Sequence, residues 1–162
     1  MQTAVINVKN YGTIRVELNE KEAPISVKNF VELAQAGFYN GLTFHRIISG
    51  FMIQGGDPNG NGTGGSKHTI KGEFQQNGVK NTISHVRGTI SMARAMDPNS
   101  ASSQFFIVHS DSKFLDGGYT GFGTVTEGME VVDSICNDAK PADGNGTIRR
   151  AEQPVIESIT IE

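Results

Sequence analysis

Within the stretch FHRIISGFMIQGGD (44–57), Arg46 and Gln54 stand among Phe44, Ile47, Ile48, Phe51, Met52 and Ile53. Unpaired polar groups buried among apolar side chains are costly, so their presence there asks for a purpose. Farther along, SQFFI (103–107) repeats the combination. Strand alternation puts Gln104 and Phe106 on one face and Phe105 and Ile107 on the other. A face that carries glutamine and phenylalanine together reads as a pocket wall, because ligand sites are mostly apolar with a few placed polar groups. Phe51, Met52, Phe105, Phe106, Phe114 and Phe122 supply apolar surface, and Arg46, Gln54 and Gln104 supply donors. Phe44, Ile47, Ile53 and one of Phe105 and Phe106 are assigned to core packing. Such a set offers a few hydrogen-bond donors beside an apolar surface, as a ligand pocket does.

The usual catalytic kits are missing. Gly60, Gly62 and Gly65 satisfy G-x-G-x-x-G in form, but no strand precedes them and SKHTIKGEF does not open an apolar-periodic helix, so dinucleotide binding is set aside. His109, Ser110 and Asp111 are adjacent, whereas catalytic triads are assembled from separated segments. Asp57, Asp97 and Asp116 lie in turn-like surroundings and form no carboxylate pair. The four histidines show no ligand-pair spacing and there is one cysteine, so no metal site or cofactor is expected.

Around this set the chain reads as many short strands. Twenty of its 162 residues are glycine, above the usual proportion of about 7%, which favours tight turns over helix bundles. Residues 4–8 and 14–18 alternate on either side of Asn10-Tyr11-Gly12 as a hairpin. Val27, Phe30, Val31 and Ala34 predict a helix over 25–36, with Gly37 as its stop. Two strands broken at Ser49-Gly50 fill 43–54, a long loop fills 55–82, and strands follow at 88–93, 104–108 and 122–125. A helix over 128–136 and a closing strand in PVIESITIE complete the count of eight strands and two helices. One domain over 1–162 is expected, and a barrel is the natural way to protect so many strand edges.

The formal charge of −3 and the lack of a basic run argue against nucleic-acid binding. No segment is apolar for long enough to span a membrane. The first residues form no signal-peptide pattern and Cys136 cannot form an internal disulfide, so a cytoplasmic location is expected.

FHRIISGFMIQGGD, NGTGG (61–65), GTISMARA (88–95), SSQFFI (102–107), FLDGGYTGFGTV (114–125) and GMEVVD (128–133) together resemble, in order and spacing, the cyclophilin family of peptidyl-prolyl cis-trans isomerases. The resemblance covers nearly the whole chain. It implies an eight-stranded antiparallel β-barrel closed by two α-helices. It also implies a monomeric isomerase that assists folding and acts, in the manner of a chaperone, on proline-containing peptides and unfolded proteins. Carried over by position, Arg46 is the principal catalytic residue, with Phe51 and Gln54 beside it. Phe51, Met52, Phe106 and Leu115 line the proline pocket, while Gln54, Ala93, Arg94 and Gln104 hold the peptide backbone. The chain departs from the best-known eukaryotic pattern in carrying Phe114 for tryptophan, Tyr119 for histidine and Arg94 for asparagine. MARAMDPNSASSQFF is also one residue longer. These features resemble bacterial cyclophilins and imply weakened binding of cyclosporin-type inhibitors rather than weakened catalysis.

Two rival readings stand beside the isomerase. A proline-peptide binding module would use the same groove without turnover, and a small apolar-ligand carrier would enclose an aliphatic lumen.

Overall fold

The computed structural model describes residues 1–162. Its elements, in chain order, are β1 (Thr3–Val8), β2 (Gly12–Leu18), α1 (Pro24–Gln35), β3 (Phe44–Ile48), β4 (Met52–Gly55), β5 (Thr89–Met92), β6 (Phe105–Val108), β7 (Gly121–Glu127), α2 (Met129–Asp138) and β8 (Ile156–Ile161). Short 3₁₀ turns at Gln75–Asn77, Lys113–Leu115 and Arg150–Glu152 complete it, and none of these is readable from periodicity. All eight strands pair antiparallel in the order β3-β4-β6-β5-β7-β2-β1-β8. The outer strands of that order meet where Thr43 bridges Val155, with Phe44 N–H donating to the Pro154 carbonyl at 3.0 Å. The sheet thus curls into the expected barrel.

Alternation decides what faces inward. Ala4, Ile6 and Val8 of β1, Ile14, Val16 and Leu18 of β2, and Phe105 and Ile107 of β6 all enter one buried cluster. Helix α1 adds Val27, Phe30, Val31 and Ala34, and α2 adds Val131, Val132, Ile135 and Cys136. Phe30 sits edge-on to Phe105 at 5.5 Å and leans on Phe122 at 5.2 Å. Phe105 and Phe122, counted above with the apolar surface of a site, are therefore core. Phe122 is fully buried, with the Phe30 ring of α1 packed against it. Helix α2 is preceded by Gly128, where φ is +101° and a Cβ would collide with the Thr13 carbonyl oxygen. Only glycine allows that approach.

The long connection from β4 to β5 is irregular yet anchored. Asp57, read as a turn residue, does open a turn, its carbonyl accepting Gly60 N–H at 2.9 Å, and it is also buried, its carboxylate accepting the N–H groups of Asn59, Asn61 and Gly62. Burial works to raise its pKa, but these backbone donors, with Gly64, hold it below the ordinary carboxylate value. Asn81 Nδ2 donates to the carbonyls of Glu73 and Gly121. Glu73 itself, 2% exposed, reaches α1, which starts at Ala23 without a side-chain cap. Its two carboxylate oxygens accept Ile25 N–H at 3.2 Å and Ser26 N–H at 2.7 Å. A distant carboxylate thus does the work of a local cap at the positive end of the helix. Glu73→Ala would strand the buried Ser26 N–H and free the partly buried one of Ile25, and is expected to cost about 1–3 kcal/mol in urea unfolding, with Glu73→Gln costing less because one oxygen remains. Equal stability of the alanine variant would show that the loop does not secure the helix.

Candidate active site

From the core residue Phe44, strict alternation would turn Arg46 inward. Instead the register shifts: Phe44 pairs with Gly55 and Arg46 with Gln54, leaving His45 as an extra residue on β3. Such a bulge re-aims the side chains that follow it. Arg46 emerges on the outer face opposite Gln54, while Ile47 and Ile53 return to the core. His45 is buried and its ring makes no hydrogen bond to the protein. Burial lowers its pKa, with Asp57 opposing and Arg46 reinforcing, so the ring stays neutral.

Arg46 is held on three sides. Its Nε donates to the Asn145 carbonyl at 2.8 Å, Nη2 to Asn145 Oδ1 at 3.3 Å, and Nη1 to Gln54 Oε1 at 3.1 Å. One N–H on each terminal nitrogen is left over. Partial burial lowers the guanidinium pKa, with Tyr119 and Asp143 opposing. Arginine starts so high that it remains a cation. Gln54 Nε2 donates in turn to Gln104 Oε1 at 3.0 Å, and Gln104 Nε2 to the carbonyls of Gly62 and Gly64 at 3.1 and 2.8 Å. The cation, the two glutamines and the anchored loop thus form one relay.

Beside this relay lies a cavity of about 130 Å³ lined by Arg46, Phe51, Met52, Gln54, Ala93, Arg94, Phe106, Leu115 and Tyr119. An adjoining, more polar depression of about 230 Å³ includes Gln104 and shares Gln54, Ala93 and Arg94. Phe114, 77% exposed, stands at the rim with its ring 5.6 Å from that of Phe51. The residues assigned to catalysis and binding therefore meet at one place on the outer face, from β3, β4, β6 and the segments at 93–94, 104 and 114–119, whereas Phe105 and Phe122 lie in the core.

Arg94 is the surprise among them. Its guanidinium lies between the rings of Phe74 and Tyr119, at 5.0 and 4.7 Å. It donates twice to the Gly118 carbonyl and once each to those of Ala95 and Met96. The side chain that replaces asparagine is spent on joining two loops.

Beneath the pocket, Phe106 stacks on His85 with centroids 6.0 Å apart. His85 Nδ1–H donates to Asp116 Oδ1 and Nε2 accepts from Ser91 Oγ, each at 2.8 Å. The order Asp–His–Ser imitates a hydrolytic triad, but Ser91 is fully buried and can attack nothing. Burial lowers the His85 pKa against the pull of Asp116. His109 turns to Asp133, at 3.0 Å, rather than to its sequence neighbour Asp111. Cys136 is in the core, where burial pushes its thiol up to about 12. Asn145, His85 and Asp116 went unrecognised in the sequence. Asn145 sits in the turn-like DGNG, a signal for backbone shape alone, and the others act through contacts between distant segments.

An apolar groove on the outside of the barrel, carrying a cation and amides with no acid–base pair in its lining, can grip a chain and place a permanent cation beside it. Known proteins agree. Residues 3–161 match the family of cyclophilin type peptidyl-prolyl cis-trans isomerase/CLD. A Helicobacter pylori peptidyl-prolyl cis-trans isomerase is 50% identical over 137 residues, covering 83% of this chain and 81% of that one. The Escherichia coli peptidyl-prolyl cis-trans isomerase B is 42% identical over 162 residues, covering 94% and 95%. A Cryptosporidium parvum cyclophilin, crystallised in the presence of the dipeptide Ala-Pro, superposes with a TM-score of 0.86 at 33% identity over 99% of this chain and 98% of its own. The chain belongs to the cyclophilin-type peptidyl-prolyl cis-trans isomerase family.

Proposed function

We propose that this chain accelerates rotation about X-Pro bonds by directing the spare N–H groups of Arg46 at the prolyl nitrogen. Rotation breaks no covalent bond but must overcome an amide-resonance barrier of about 18–20 kcal/mol. In the twisted transition state the nitrogen lone pair is localised and accepts a hydrogen bond that neither planar ground state can. A guanidinium placed there favours the transition state selectively. The observation that carries this reading is that three bonds fix Arg46 at the edge of an apolar pocket while leaving donors free. Phe51, Met52, Phe106, Leu115 and Tyr119 hold the proline ring, with Phe114 at the rim. Gln54, Ala93, Arg94 and Gln104 hold the flanking backbone, Arg94 through its main chain because its guanidinium is engaged.

The substrates are proline-containing peptides and unfolded proteins, and the chain acts as one monomeric, cytoplasmic unit in protein folding without a cofactor. No helix is long and apolar enough to cross a membrane. A protease-coupled assay on a short X-Pro peptide tests the activity, and EDTA should leave it unchanged. Binding without acceleration would favour the binding module instead.

Phe114 offers a further expected result. Phenylalanine has no N–H to donate to a cyclosporin-type inhibitor, as the tryptophan common at this position would. One net hydrogen bond is worth about 0.5–1.5 kcal/mol, and a larger ring buries more area, so Phe114→Trp should tighten inhibitor binding by about tenfold. Catalysis needs only an apolar rim, so kcat/KM should change by less than about threefold. Calorimetric titration beside the isomerase assay decides it, and an unchanged affinity would assign drug sensitivity to Tyr119 or to the 94–103 loop.

A further inference from the structure

The turn between β3 and β4 delivers Phe51 to the pocket, and within the turn it is closed by one bond, from Phe51 N–H to the Ile48 carbonyl at 2.9 Å. Gly50 has φ +85°, and nothing lies within 4 Å of where a Cβ would stand. The turn's other ties come from the end of β6. The backbone N–H of His109 donates to the Phe51 carbonyl at 2.8 Å. The Gly50 N–H donates to His109 Nδ1, also at 2.8 Å. One residue thus grips Gly50-Phe51 from both its main chain and its ring.

The ring is fixed in turn. An amide N–H can only donate, so Nδ1 is the bare nitrogen and the proton sits on Nε2. That nitrogen faces Asp133 Oδ1 of α2 at 3.0 Å. Arg87 holds the same carboxylate with both terminal nitrogens, at 2.8 and 2.7 Å, and donates to the His109 carbonyl at 3.0 Å. The partner of one ring nitrogen sets the tautomer available to the other. Asp133 and Arg87 keep Nδ1 ready to accept.

We infer that His109 is a positioning residue for the isomerase site: held by Asp133 and Arg87, it anchors Gly50-Phe51 so that the Phe51 ring stands against Phe114 and walls the proline pocket. It touches no substrate, and the inference rests on the pocket reading above. A wall that meets the proline ring alike in ground and transition states governs KM more than kcat.

The test compares three variants of the full chain on a short X-Pro peptide. His109→Ala removes the acceptor and the Asp133 contact, and His109→Leu does so while still filling the space. His109→Asn also loses Asp133, but its Oδ1 lies as many bonds from Cα as Nδ1 and still accepts from Gly50. The alanine and leucine variants are expected to raise KM about fivefold or more with kcat within about twofold, while the asparagine variant stays within about twofold of wild type in both. All three should lose thermal stability, so a purely structural role would make activity follow Tm instead. Equal rises in KM across the three, or wild-type KM in the alanine and leucine variants, would overturn the inference. Phe51→Ala in the same assay separates the two readings. If it loses activity while His109→Ala and His109→Leu do not, the anchor fails alone. If it is silent, the pocket reading fails and the anchor with it.

Discussion

Arg46→Ala is expected to lower kcat/KM on an X-Pro peptide by about 100- to 1,000-fold, about 3–4 kcal/mol of transition-state stabilisation, with the fold intact. The size follows from the role: a donor present only for the twisted state is lost wholly from the barrier. Stability should change little, because Arg46 is partly exposed and its partners Asn145 and Gln54 remain open to solvent. Arg46→Lys should fare little better, since an ammonium cannot hold Asn145 through Nε while presenting donors from a rigid fork. Circular dichroism melts beside the coupled assay check both halves. Wild-type turnover in the alanine variant would eliminate the mechanism.

The second large effect separates two neighbours. Phe105 is fully buried, edge-on to Phe30 and Tyr39 at 5.5 Å and to Phe44 at 6.0 Å. Phe105→Ala opens a cavity among rings that cannot collapse, and should cost about 3–5 kcal/mol, a large part of the stability of a typical domain. Phe106 points the other way, onto His85 and Tyr119. Its loss opens to solvent rather than to a void, so Phe106→Ala should cost nearer the transfer value of about 2 kcal/mol. Removing the pocket floor should nonetheless lower kcat/KM at least about tenfold. Urea unfolding and the isomerase assay on both variants give the comparison. A Phe106→Ala protein less stable than Phe105→Ala and fully active would refute the division.

That division was legible in the sequence because a strand has a period of two, so SQFFI sorts its own side chains. The same rule fails at Arg46. Alternation from Phe44 sends it inward, and only the extra residue His45, visible in the pairing with β4, explains how it faces out. Its role came from resemblance rather than from pattern. The 55–82 loop was opaque for a related reason. Asp57, Glu73 and Asn81 order it through bonds from side chains to distant main chain, and such bonds leave no periodic trace. Arg94 was legible as a position but not as a conformation, since Phe74, Tyr119 and Gly118 reach it only once the loops are assembled.

The pairing of β1 with β8, which sets Ala4 opposite Ile161, bears on how the molecule is made. On the ribosome, β1 and β2 can form a hairpin early, but the flank of β1 stays bare until residues 156–161 emerge. The Thr43–Val155 seam waits for the same segment. Contacts of such sequence separation incur their loop-closure entropy before they return any stability, and they slow folding accordingly. During synthesis the nascent chain therefore exposes an unpaired strand edge, a ready template for pairing with another chain until the last strand arrives.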